Sequence, residues 1–238
     1  MIKKLLVLAL LALLSSQTFA DATPIKRREK AENVDYSNVT YTTVDAALDH
    51  LLYVAPDVSS FTNNRNNVEI GTTITSTILN WANNKTMTSQ SINQGIGSIT
   101  PSLLTYTDNS SYSTNRTYTI TVGDGTNTDQ ASTSITFLNK RYWGVSSNTS
   151  LNDAQIIALS SELATNNTKT FTVNPSAQRI WFCSPASFGT HSFTVNGFSN
   201  TDFTSGTQTH VNASGNSSSY RCTYSNNLLT GTFIVGVE

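Results

Sequence analysis

Residues 116–137 read RTYTITVGDGTNTDQASTSITF. Tyr118, Ile120 and Val122 alternate with threonines, which is the period-two pattern of a strand with one buried face. Asp124-Gly125 supplies turn chemistry, and Ala131, Thr133, Ile135 and Phe137 then carry one face of a return strand. The stretch is predicted as a β-hairpin, and it decides how its neighbours are read. Upstream, VSSF (Val58 to Phe61) is a short strand. NVEIGTTITSTILNW (Asn67 to Trp81) is a longer strand run in which Leu79 and Trp81 share a face. With Trp81 as the central wedge, residues 56–139 are predicted as an immunoglobulin-like β-sandwich. This stretch has no cysteine pair, so membership of the antibody domains is not implied.

Residues 140–238 are predicted as a second unit. YWGVS opens it as a strand. Ser150 with Asp153 reads as a capping box before an amphipathic helix, LNDAQIIALSSELA, whose stripe is Ile156, Leu159 and Leu163. Short strands follow: KTFTVN, RIWFCS, HSFTVNGF, QTHVNAS, SYRCTYS and GTFIVGVE. The expectation is a mainly antiparallel sheet on one helix. The predicted fold class is therefore mainly β, an immunoglobulin-like β-sandwich followed by a second antiparallel β unit with one α-helix.

The amino-terminal fifth reads differently. Residues 1–20 have two lysines, a ten-residue apolar run and a small residue at Ala20, the pattern of a signal peptide. Residues 21–38 form a charged linker, with seven charges between Asp21 and Glu32. Residues 39–55 are predicted as a short helical connector that Pro56 ends. Thr43 is its N-cap and Val44, Leu48, Leu51 and Leu52 form its apolar stripe. A helix this short is not stable alone. Val44, Leu48 and Leu51 are accordingly candidate oligomer contacts.

Composition narrows the function. Asn 25, Ser 31 and Thr 37 dominate the chain, while charged residues are 12%, about half the usual share. The formal net charge of −1 excludes a nucleic-acid binder that works through a basic field. Cys183 and Cys222 lack metal-ligand spacing. In an oxidising compartment they are a candidate disulfide, and two separate buried thiols are the alternative. His50 reads as a solvated side chain on the polar side of the short helix, and His191 and His210 have no nearby second His or spaced carboxylate, so no metal or other cofactor is expected. There is no G-x-S-x-G or S-x-x-K motif, and the carboxylates are scattered singly. Gly123 to Asp129 invites a calcium reading, but it is explained by the turn and has no bidentate Glu at loop spacing. An enzyme is not expected. Aromatic side chains among small polar ones suit binding, and NASGNSSSYRCTYSNN makes Tyr220, Arg221 and Tyr224 candidate surface-binding residues. The alternative is that Tyr220 and Tyr224 point into the core.

Several segments carry a resemblance. VTYTTVDAALDHLLYVAPDVSSF, VEIGTTITSTILNW and TSQSINQGIGSITPSL resemble virion structural proteins of tailed bacteriophages. FLNKRYWGVSSNTSLNDAQIIALSSELATNNTKTFTV, PASFGTHSFTVNGF and NASGNSSSYRCTYSNNLLTG look like the distal half of tail-fibre or baseplate-associated proteins of that group. The resemblance covers residues 39–238. It implies a non-enzymatic tail fibre or virion appendage, a homo-oligomer and often a trimer. Such a protein would contact other virion proteins and a host cell-surface glycan or protein through a β-rich C-terminal unit. The signal-peptide pattern departs from that family, because virion proteins assemble in the host cytoplasm. Expected localisation is therefore the virion or an exported one, periplasmic or extracellular. The alternative is a secreted bacterial adhesin or carbohydrate-binding protein built from phage-like modules.

Overall fold

The computed structural model describes residues 51–238, of which Val54–Glu238 form one compact unit. Its first half contains β1 (Val58–Asn63), β2 (Asn67–Glu69), β3 (Thr77–Asn83), β4 (Ser89–Ile92), β5 (Gly97–Ile99), β6 (Thr105–Asp108), β7 (Arg116–Gly123) and β8 (Thr128–Leu138). One sheet runs β1-β3-β6 and the other β2-β8-β7-β4-β5. Every pairing is antiparallel except β2 with β8. This is an immunoglobulin-like β-sandwich, with the first strand region split between the two sheets.

The β7–β8 hairpin lies where its alternation places it. Tyr118, Ile120 and Val122 are fully buried, and Ile135 and Phe137 face the same core. Burying side chains of this size is worth about 1.5–3 kcal/mol each. Asp124 Oδ1 accepts from the Thr126 and Asn127 amides, both at 2.9 Å, so the turn is held by its own first residue. Leu79 and Trp81 are buried in the same core, with Phe61 edge-on to Trp81 at 6.1 Å. At the start of β7 the Tyr118 hydroxyl donates to Asp108 at 2.7 Å. Burial pushes the Asp108 carboxyl up, but hydrogen bonds from Tyr118 and Ser110 and the Arg116 charge outweigh it and hold the group below its ordinary value.

The run from Asn67 to Trp81 is not one strand. It breaks after β2 at a turn in which the Thr72 amide donates to Glu69 O and Gly71 takes a φ of +90°. A left-handed residue cannot continue an extended strand.

The second half contains β9 (Lys140–Ser146), α1 (Asp153–Ile157), β10 (Ser160–Leu163), β11 (Lys169–Val173), β12 (Ser176–Pro185), β13 (Phe193–Val195), β14 (Phe198–Asn200), β15 (Phe203–Val211), β16 (Ser217–Ser225), β17 (Leu229–Thr230) and β18 (Phe233–Val237). It has two main sheets, β10-β9-β12-β16-β15 and β11-β18-β13-β14. The first sheet is a middle layer. On one face Tyr142, Trp181, Cys183, Tyr220 and Cys222 pack with Leu151 and Ile156 around α1. On the other, Ile180 and Phe182 pack with Phe171, Phe193, Val235 and Val237 of the second sheet.

The helix is shorter than its hydrophobic stripe predicts. Its N-cap is Asn152, in a reciprocal capping box with Gln155, and not Ser150. Residues Ser160–Leu163 leave the helical path to pair with β9. Glu162 fixes them there: it is paired with Lys169 and Arg141, which hold its carboxyl below the ordinary value. Tertiary pairing overrides local helix propensity at this point.

Specific polar contacts join the two halves. Lys140 Nζ meets Glu69 Oε2 at 2.8 Å. Asn212 Oδ1 accepts from the Ser214 and Asn216 amides, and its Nδ2 donates to Ile70 O at 2.7 Å. The neighbouring Tyr142 phenol is pushed up to about 12, by burial first and then by the charge and hydrogen bond of Glu69. A Cβ at Gly71 would lie 2.7 Å from Asn216 Cβ. Gly71→Ala combines left-handed strain with this clash and is expected to lower stability by about 1–3 kcal/mol, measured by chemical denaturation; an unchanged midpoint would show that the junction yields freely.

Candidate functional site

The segment PASFGTHSF carries the chain from one sheet of the second half to the other. After β12 a single 3-10 turn, Ala186–Phe188, is stopped by Gly189 at a φ of +99°. The Gly189 carbonyl accepts from Arg221 Nε at 2.9 Å. The chain then enters β13, and this path swings His191 between the sheets, edge-on to Phe182 at 4.9 Å.

Register supplies the partners of His191. Phe182 pairs with Thr223, and Thr223 pairs with Ser205, so these three lie in one row on the same face. Ser184 stands two residues beyond Phe182 on that face. The result is a polar chain inside an apolar layer. Ser184 Oγ lies 2.8 Å from His191 Nε2, His191 Nδ1 lies 2.9 Å from Thr223 Oγ1, and Thr223 donates to Ser205 Oγ at 2.9 Å. Ser184 and Thr223 are buried. Ser205 is exposed.

Around this chain opens a cleft of about 300 Å³, beside the edge strands β14 and β15. Phe193 and Phe203 form one wall, stacked at 4.0 Å. Ser192, Ser199, Asn200 and Thr201 complete the rim. No Lys, Arg, Asp or Glu lines it. Burial, and then the positive charge of Arg221, depress the His191 imidazole to about 4, so it is neutral at physiological pH.

Ser184 with His191 has the spacing of a nucleophile and its base, but Ser184 is fully buried and the third member is a threonine hydroxyl. A nucleophile must reach its substrate and its base needs an orienting acceptor for the imidazolium. The geometry is that of a hydrogen-bond relay leading to the cleft. His210 is also built in: it is fully buried, edge-on to Tyr142 and Tyr220, with Nδ1 2.9 Å from Asp153 Oδ1. It ties α1 to β15. Among the described residues, no group of three or more His, Cys, Asp or Glu is placed to hold a metal ion.

The candidates from sequence fare unequally. Cys183 and Cys222 are directly opposite each other on β12 and β16 and form a disulfide, with Cα atoms 4.1 Å apart. Tyr220 is not a surface residue. It is 1% exposed, and its hydroxyl donates to Lys140 O at 2.7 Å. Alternation along β16 puts it on the α1 face together with Cys222. Tyr224 follows on that face, half-buried and packed on Trp181 at 4.8 Å. Arg221 points the other way and is occupied at Gly189. These three residues therefore make no common binding surface. Val44 and Leu48 lie outside the described residues, as do the signal-peptide and linker segments. Leu51 is helical and 77% exposed.

Sequence reasoning missed the relay. His191, Ser184, Thr223 and Ser205 share no local spacing, and only strand register brings them together. The one available signal was a histidine two residues ahead of the short strand FTV, whose Phe193 faces the core. No protein-family model and no curated protein matches the chain. What fold and site define is a class: an immunoglobulin-like sandwich joined to a disulfide-bonded β unit with an uncharged, solvent-open cleft.

Two predictions follow from this site. The unfolded chain protonates histidine near 6.5, the folded chain only near 4. Between those values the unfolded state binds more protons, so the His191 contribution is complete above pH 6.5 and is lost as pH falls towards 4. The melting temperature of the unaltered protein should fall across that window, and His191→Gln should flatten the fall; parallel pH profiles would refute the assignment. Reducing the disulfide should lower stability by about 2–4 kcal/mol, read as a shift in the urea midpoint of Cys183→Ala/Cys222→Ala.

Proposed function

We propose that this chain is a non-enzymatic structural or adhesion protein of the tailed-phage appendage kind, a tail fibre or virion appendage, whose C-terminal β unit contacts a host surface. The observation that carries this reading is the cleft: a solvent-open recess in the C-terminal unit, walled by phenylalanine and rimmed by hydroxyls and a carboxamide, with no charged side chain. Rigid aromatic area with short polar groups is a binding surface. The disulfide and the two-sided core beneath it preorganise the recess, which lowers the entropic cost of contact.

A second reading, a secreted bacterial adhesin or carbohydrate-binding protein, is favoured by the same disulfide. Such bonds persist in oxidising compartments and are rare in the cytosol, where virions assemble. Fractionation separates the two: the protein is found in purified virions on the first reading and in periplasm or medium on the second.

The appendage reading also expects oligomers held in part by the 39–55 segment. Light scattering of the purified chain should give a homo-oligomer, and Val44→Asp/Leu48→Asp should convert it to monomers. The labelled chain should bind host cells saturably. A clean monomer before substitution would count against the fibre, and absent cell binding would sink the adhesion reading altogether.

A further inference from the structure

Counting protons gives the relay a direction. A threonine hydroxyl has one proton, and Thr223 gives it to Ser205. At His191 Nδ1, Thr223 Oγ1 is therefore the acceptor, so the neutral imidazole has its proton on Nδ1. Nε2 is then an acceptor and takes the Ser184 proton. All three hydrogen bonds point the same way, from buried Ser184 out to exposed Ser205. Ser205 receives at its oxygen and keeps its own proton to donate outwards. Hydrogen bonds aligned in this way polarise one another, which makes the last hydroxyl a better donor.

The rest of the cleft is complementary. Asn200 Oδ1 already accepts from the Asp202 amide at 2.8 Å, so its NH₂ is what it offers the cleft. Ser192 donates to Glu238 O at 3.3 Å and keeps lone pairs free. Ser199 and Thr201 add hydroxyls at the rim, and half-buried Phe203 gives an apolar wall. No Lys, Arg, Asp or Glu lines the cleft, so a charged ligand would lose hydration with no oppositely charged side chain in the wall to pair with. A sugar ring brings neutral groups that both donate and accept, on a body with an apolar face.

We propose that the cleft between β13, β14 and β15 binds one unit of an uncharged saccharide, with the Ser205 hydroxyl and the Asn200 NH₂ donating to its oxygens and Phe203 packing on its ring. The proposal rests on the adhesion reading and names the ligand class of that surface.

The test uses the full chain in calorimetric titrations with neutral oligosaccharides of glucose, galactose and N-acetylhexosamines, and with uronate- and sialate-containing ones. Binding is expected within the neutral set. Ser205→Ala should weaken it about 3- to 10-fold, and Ser199→Trp, which fills the mouth from an exposed position, should abolish it. A silent neutral set, a preference for acidic sugars, or two variants that bind as well as the parent would each overturn the proposal. Cell binding separates this failure from that of the adhesion reading. If the parent and Ser199→Trp bind cells equally, the cleft proposal falls and adhesion stands. If cells lose the protein after protease treatment but keep it after periodate, the partner is a protein and the cleft proposal falls. If the parent binds no cells, adhesion falls and the titrations decide the cleft.

Discussion

Strand β12 must be buried on both faces at once, and the C-terminal half is organised around that need. From Ile180 to Pro185 every residue is buried. A strand of this kind cannot lie at a surface, so it requires a covering layer on each side. Odd positions Trp181 and Cys183 turn to α1; even positions Ile180, Phe182 and Ser184 turn to the β11-β18-β13-β14 sheet. The disulfide to Cys222 locks the register of β12 against β16, and a one-residue slip would exchange the two faces. The relay and cleft exist because that register holds Thr223 beside Phe182 and within reach of His191.

The polar residues of this chain do inside the protein what charges often do elsewhere. Asn212 folds its own loop and grips Ile70. Asn63, also buried, accepts the Arg65 and Asn66 amides at its Oδ1. Short neutral side chains can satisfy buried backbone groups at modest desolvation cost. The same economy reaches the surface, where the cleft presents hydroxyls on an aromatic wall. A site of this type discriminates by matched neutral hydrogen bonds, since it has no charge with which to attract.

How much was legible depended on whether the information was local. The 116–137 hairpin was, because alternation and turn residues lie within one short stretch. Leu79 and Trp81 were, for the same reason. The early end of α1 was not, because it follows from pairing with the strand β9, and the break at Gly71 was not, because a lone glycine in a strand-like run fits either a strand or the left-handed turn found there. Tyr220, Arg221 and Tyr224 looked like a surface because aromatics among small polar residues suit either a binding patch or an alternating strand. The covering helix decides between the two, and it sends Tyr220 into the core.

By itself the sequence determined that the chain is mainly β, that two β units follow one another, and that only one cysteine pair exists. These are consequences of composition and short-range period, which need no knowledge of what lies opposite. Only the tertiary structure decided that Cys183 faces Cys222, that the second unit has two main sheets, and that Ser184, His191, Thr223 and Ser205 share one hydrogen-bonded path. The reason is physical. Side-chain proximity across strands is set by register, and register is fixed by how the buried faces are covered. No window along the chain contains that information.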